Sequence, residues 1–351
     1  MKKTAVLAIV LGVFICCIGT FAQEPFSDAL PREISDEATF SLSDAVRSLK
    51  QRAGDTAKTA LQKGMVSAVS LTVFVLLCSM AENWCSDSGN AAARYVPYLG
   101  VLGICVISAG DLETLLGVGT STVAELKTLS QTLLPAIATT VAASGYIGTA
   151  SAWQVGTMIL TERLTALITD VFFPLTNCAI ALMAAGAIMP QSKLDVWAES
   201  IKKGILIALT AVMLLFSGYL SVSHVMAGAA DRSAVKAVRF TVSTAIPLMG
   251  NILAEATESV VAGANALRSV IGMMGIFAVL FTALGPLLRL AVQYLLYQAS
   301  AMLCGVAASA TLSRFTSQLG GVFALVFAMT GCCAMLLLVS LLIAVKMVVI
   351  V

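Results

Sequence analysis

The stretch from Gly321 to Val351 carries a single charge, Lys346, and nothing else in the chain restricts its fold so severely. A bilayer core of about 30 Å is crossed by about 20 apolar residues in a helix, or by about 10 alternating ones in a barrel strand. The run 321–345 is of the first kind. Runs of similar character at 65–81, 95–110, 132–150, 166–189, 204–227, 269–288 and 290–311 bring the candidate spans to eight. Polar punctuation falls at 82–94, 111–131, 151–165, 191–203, 228–268 and 312–320.

Composition agrees with that reading. Hydrophobic residues make up 59% of the chain and charged ones 11%, against about 25% charged in soluble domains. A water-soluble fold of this size cannot hide so much apolar side chain, so lipid is the solvent for much of it. The expected class is an all-α, polytopic helical membrane protein of seven or eight spans. The net charge of +2 is too small to argue for nucleic acid as a partner.

The ends of the chain differ in character. Met1-Lys2-Lys3, the apolar segment Ala5 to Ile18 and Thr20-Phe21-Ala22 follow the order of a signal peptide cleaved before Gln23. Residues 1–22 are therefore expected to be a signal, and 23–63 a charged extracytoplasmic tail. The later part of that tail is amphipathic, with Leu42, Val46, Leu49, Ala53, Ala57 and Leu61 at helical spacing. Residues 64–351 are expected to form the transmembrane domain. The Lys/Arg bias of the loops is weak, seven against five, and leaves the orientation open.

Prolines set the finer organisation. Leu134-Pro135 and Phe173-Pro174 are separated as Ile246-Pro247 and Gly285-Pro286 are, by 39 residues, and one shift of 112 residues superposes both pairs. This suggests an internal repeat, 129–227 and 241–345, with broken or re-entrant helices. Such interruptions occur in transporters where backbone groups face a cavity. Residues 237–252, AVRFTVSTAIPLMGNI, break at Pro247 and Gly250, and the following segment is too polar to span well. A re-entrant or interfacial helix pair lining a polar cavity is one reading, and a loop with two amphipathic helices is the other.

Candidate cavity or gate residues follow from charge and position. Asp170 lies inside an apolar run four residues before Pro174, and an intramembrane carboxylate is costly unless it faces an interior. Glu255 and Glu258 share a helix face. Arg289, between two apolar runs, is a helix-end anchor or the partner of an acid. No catalytic, cofactor-binding or metal-binding residue is predicted, and the chain is not expected to be an enzyme. His224 is the lone histidine and the nine cysteines lack paired spacing, which argues against zinc. Gly54 to Thr59 lacks the glycine and preceding strand of a phosphate loop. Ala109-Gly110-Asp111 is only a fragment of an intramembrane aspartyl protease signature.

Larger pieces carry a resemblance. Gly218 to Ser223, Asp231 through Arg239-Phe240, Ile246 to Gly250, Glu255 to Val260 and Gly272 to Gly275 occur in an order and spacing that resembles the stage III sporulation protein AE family of endospore-forming bacteria. With the signal, charged tail and multi-span layout, the likeness extends over most of 40–350. It implies a multi-pass component of the mother-cell membrane around the forespore, acting as pore or platform of a channel or secretion complex needed for late forespore gene expression. The implied partners are the other stage III sporulation A-operon proteins, including ring-forming proteins and a secretion-type ATPase, with the stage II sporulation protein Q complex on the forespore side. The alternative function is an autonomous secondary permease with an intramembrane carboxylate site at Asp170, Glu255 and Glu258.

Overall fold

In a computed structural model, residues 32–87, 95–143, 147–189, 193–245, 250–307 and 310–346 are described. Among them the chain is helical, without a strand: α1 (Arg32–Asp87), α2 (Val96–Ala143), α3 (Ile147–Leu167), a π turn (Ile168–Phe172), α4 (Phe173–Ile188), α5 (Leu194–Ala245), α6 (Gly250–Ala307) and α7 (Ala310–Lys346). Residues 1–22, expected to be a signal peptide, lie outside the described residues. Helix α1 runs without interruption from the charged stretch into the first apolar run, across the expected boundary at 63.

Six helical segments among the described residues are long and apolar enough to cross a bilayer, not seven or eight. The difference has a definite cause. The runs 95–110 and 132–150 are largely taken into one helix, α2, and 269–288 and 290–311 into another, α6. Helix α2 has 48 residues, roughly 70 Å at about 1.5 Å per residue, more than twice the thickness of a bilayer core. Segments 111–131 and 191–203, read from sequence as punctuation, lie within or mostly within helices α2 and α5.

The expected breaks are fewer than the prolines. Pro135 and Pro286 sit inside continuous helices. A proline in a helix interior removes one backbone hydrogen bond, and in membrane helices neighbouring helices and small local adjustments accommodate the freed carbonyl. Leu134 and Ile137 beside Pro135, and Leu287 and Leu290 beside Pro286, are all buried, so both prolines sit at packed seams between helices. Helix α5 is described as far as Ala245, two residues before Pro247. Pro247 itself lies outside the described residues. The two suggested repeat units are built differently: the first spans the end of α2, then α3, α4 and part of α5, and the second the last residues of α5, then α6 and α7. The described residues give the repeat no support.

Helix α7 is the axis of the bundle. Of its most apolar window, 89% is buried within the protein, against 22–44% for the other five. It packs along α6 and against α2, α3, α4 and α5. Contacts give the directions. A β-carbon on Gly100 would meet Leu312, and one on Gly119 would meet Val326, so α2 and α7 run parallel. Asp195 pairs with Arg314 and Lys202 lies beside Gly321, so α5 also runs parallel to α7. Gly275 against Leu341 and Gly305 against Ser313 make α6 antiparallel to it. Arg52 over the Phe281 ring, Thr56 by Gly285 and Gly64 by Gln293 set α1 parallel to α6.

Candidate functional site

Where α1, α2 and α6 meet, a half-buried carboxylate is shared between the helices. Asp111, on α2, accepts a hydrogen bond from Ser67 Oγ of α1 on its Oδ1 at 3.1 Å. Its Oδ2 accepts two from α6, Gln293 Nε2 and Tyr297 Oη, each at 2.9 Å. Gln293 and Tyr297 are four residues apart and so share a helix face. Next along that face, Ser300 Oγ reaches the Ala68 carbonyl of α1 at 3.4 Å. Gln293 is 6% exposed and Tyr297 fully buried.

Two glycines make the approach close enough. A β-carbon at Gly64 would stand 2.5 Å from Leu296 Cδ1 and 2.7 Å from Gln293 Oε1, so a side chain there would push the Leu296 and Gln293 side chains from these positions. On the other side, a β-carbon at Gly320 of α7 would be 3.3 Å from Tyr297 Cβ. The Tyr297 ring meets Phe323 edge-on, with centroids 4.9 Å apart, a favoured aromatic geometry. Helix α7 thus fixes the ring, and the ring delivers its hydroxyl to Asp111. All three donors are uncharged. Hydrogen bonds to an ionised group contribute about 1.5–3 kcal/mol each, so the arrangement ties three helices at one point and uses the acid as the knot.

A second feature lies on α3, the π turn and α4. The Phe173 N–H donates to the Ile168 carbonyl, five residues back, and Pro174, which has no N–H to give, follows at the start of α4. The wider turn thus absorbs the register change just ahead of the proline, at a kind of feature frequent at functional sites. Phe172 and Phe173 point inward and are buried. Phe173 closes on α2 at Gly119, where a β-carbon would come within 3.2 Å of its ring and 2.6 Å of Val326. Asp170 and Pro174 point outward and are exposed.

The sequence-predicted residues therefore do not form one cavity. Asp170 and Pro174 share the outer face of the π turn and α4, and Arg289 is exposed on α6. Gly250 is the first residue of α6, with Glu255 and Glu258 in its opening turns; the side chains of these two acids lie outside the described residues. Asp111, Ser67, Gln293 and Tyr297 were not among the candidates. Asp111 stands where an apolar run gives way to polar punctuation, and its partners are distant in sequence. The available signal was the four-residue spacing of Gln293 and Tyr297 within an apolar run. Lys202, counted with the loops, is buried on α5 with its Nζ 3.2 Å from Met183 Sδ of α4.

No solved structure matches the chain. A curated relative, "Stage III sporulation protein AE" of Bacillus subtilis (strain 168), is 19% identical over 234 residues, covering 66% of this chain and 58% of the relative. The match thus spans less than two thirds of that relative's length. Residues 26–348 match the family described as Stage III sporulation protein AE, which covers the Asp111 knot, the π turn and all six apolar helices. The chain belongs to the stage III sporulation protein AE family, and that membership supports a role in sporulation.

Proposed function

We propose that this chain is a non-enzymatic, multi-pass pore or platform subunit of a channel or secretion complex in the mother-cell membrane around the forespore. Its partners in this reading are the other stage III sporulation A-operon proteins, with ring-forming members and a secretion-type ATPase supplying structure and energy, and the stage II sporulation protein Q complex opposite. Late forespore gene expression depends on the assembled complex.

The observation that carries the reading is how Asp111 is used. Its three hydrogen bonds all go to other helices, the use expected of a scaffold that holds long helices in fixed register. Family membership over 26–348 supports the sporulation setting.

The test is a deletion strain complemented with this chain. Restored forespore gene expression, together with co-purification of the ring-forming proteins and the ATPase from detergent extracts, is the expected result. Solute flux through liposomes holding this chain alone would overturn the platform reading in favour of a self-sufficient permease.

A further inference from the structure

Along the seam of α1 and α6 the outward surface changes character within about one turn. From Gly64 to Ala81 on α1, and from Leu290 to Val306 on α6, the sequence holds no charge. Met65, Val66, Val69 and Val73 are exposed on the first, and Leu295, Met302 and Leu303 on the second. That is a surface for acyl chains. On the N-terminal side of it, α1 exposes Arg47, Lys50, Arg52, Lys58 and Lys63 against one exposed acid, Asp55. The apolar run of α6 continues there over 270–288, but α1 lies along it, and within that run only Met274 is exposed. The edge of the apolar surface on this seam therefore falls at Lys63.

The register of the two helices brings a second base to that edge. Arg52 lies over the Phe281 ring, Thr56 beside Gly285 and Gly64 beside Gln293. Arg289 is four residues from both Gly285 and Gln293, so it shares the face of α6 that meets α1. The same register sets Arg289 level with Ala60, about 5 Å along the helix axis from Lys63. Both bases are exposed. Among the described residues no acid pairs with either of them. Glu113 of α2, which is close to them in height because Asp111 bonds Ser67, is no exception. Two unneutralised cations on one seam repel each other unless an anion joins them.

We propose that Lys63 and Arg289 hold the phosphate of an anionic phospholipid at the edge of the bilayer, with its acyl chains along Val66, Val69 and Leu295. The guanidinium fork matches phosphate oxygens and the ammonium adds a point charge. Basic residues flanking a span attract anionic headgroups, and Arg52 and Lys58 extend that attraction to neighbouring lipids. A zwitterionic headgroup brings its own cation to a place that already holds two, so the net negative lipid is preferred. Such binding requires neither cargo nor a protein partner.

The experiment offers the full chain, purified in neutral detergent, equal amounts of phosphatidylglycerol and phosphatidylcholine with the same acyl chains, and counts retained lipids by native mass spectrometry. The parent is expected to keep at least threefold more phosphatidylglycerol. Lys63→Gln/Arg289→Gln is expected to bring the ratio close to one, whereas Lys63→Arg/Arg289→Lys and the distant pair Lys127→Gln/Arg163→Gln keep the preference. Arg52 is left in place because it also packs on Phe281. Each single glutamine change should lower the ratio partway, and carries the test if the double variant accumulates poorly. Equal retention by the parent, a preference that survives the double glutamine variant, or an equal loss in the distant pair would overturn the proposal. So would displacement of the lipid by inorganic phosphate at matched concentration, which would make the site one for the free ion. Loss of a co-purifying protein on Lys63→Gln/Arg289→Gln, with the lipid ratio unchanged, would overturn it in favour of an acidic protein surface.

Discussion

The Asp111 knot and the exposed Asp170 are two answers to one problem, a carboxylate placed in apolar helices. At Asp111 the protein supplies every hydrogen bond itself, from Ser67, Gln293 and Tyr297, and the acid contributes to cohesion. At Asp170 the carboxylate stands on the outer surface of the span, and its surroundings are whatever the subunit meets. The lesson is that charge inside a membrane protein has two separable uses, and burial tells them apart. An inward acid is part of the fold. An outward one adds little to the packing of the subunit.

Substitution breaks the contrast most sharply at its inward side. Asp111→Leu leaves the buried Gln293 amide and Tyr297 hydroxyl without their acceptor, and each buried group left unsatisfied costs about 1–3 kcal/mol. Thermal unfolding of the purified chain in detergent is expected to register a larger drop for it than for Tyr297→Phe, Gly119→Val, Arg314→Ala or Asp170→Asn, and the chain would accumulate poorly in membranes. Tyr297→Phe keeps the ring against Phe323 and removes one bond to the carboxylate, for a smaller loss of about 1.5–3 kcal/mol. A Tyr297→Phe protein as damaged as Asp111→Leu would mean that the ring's seat, rather than the carboxylate, ties the helices.

Close packing gives the next effect. Gly119→Val forces a side chain into a space where Val326 and the Phe173 ring leave 2.6 and 3.2 Å, and overpacking of that kind costs about 1–3 kcal/mol. The melting temperature should fall, and proteolysis near the π turn should speed up. Arg314→Ala removes an ion pair with Asp195 at 3.4 Å whose arginine is largely exposed. Such pairs contribute about 0–1 kcal/mol, so its melting curve should nearly overlay the parent's.

Asp170→Asn is expected to be the mildest for the isolated subunit, within about 0.5 kcal/mol of the parent in the same assay. If it destabilises the detergent-purified chain as Asp111→Leu does, Asp170 belongs to the fold and the distinction between the two acids collapses.

Much of the fold was legible in the sequence, because length and hydropathy alone demand membrane helices. What hydropathy does not encode is continuity. Segment 111–131 carries Glu113, Glu125 and Lys127 and reads as an interruption, yet none of these residues breaks a helix, and α2 passes through them. Proline misled in the opposite direction: Pro135 and Pro286 look like breaks, yet both lie inside continuous helices beside buried residues. Asp170 and Pro174 were legible as an acid and a helix-breaker in an apolar run. Asp111 was not, since its meaning comes from Ser67 and from Gln293 and Tyr297, partners brought close only by the packing of α1, α2 and α6.

Helix α7 has a further consequence, for biogenesis. It is the best-enclosed helix of the six, yet a ribosome makes it after all the others. Until it emerges, Phe323 and Gly320 are not there to seat Tyr297, and the inward surfaces of the earlier helices have no permanent occupant. The nascent subunit must therefore wait for its own keystone to arrive.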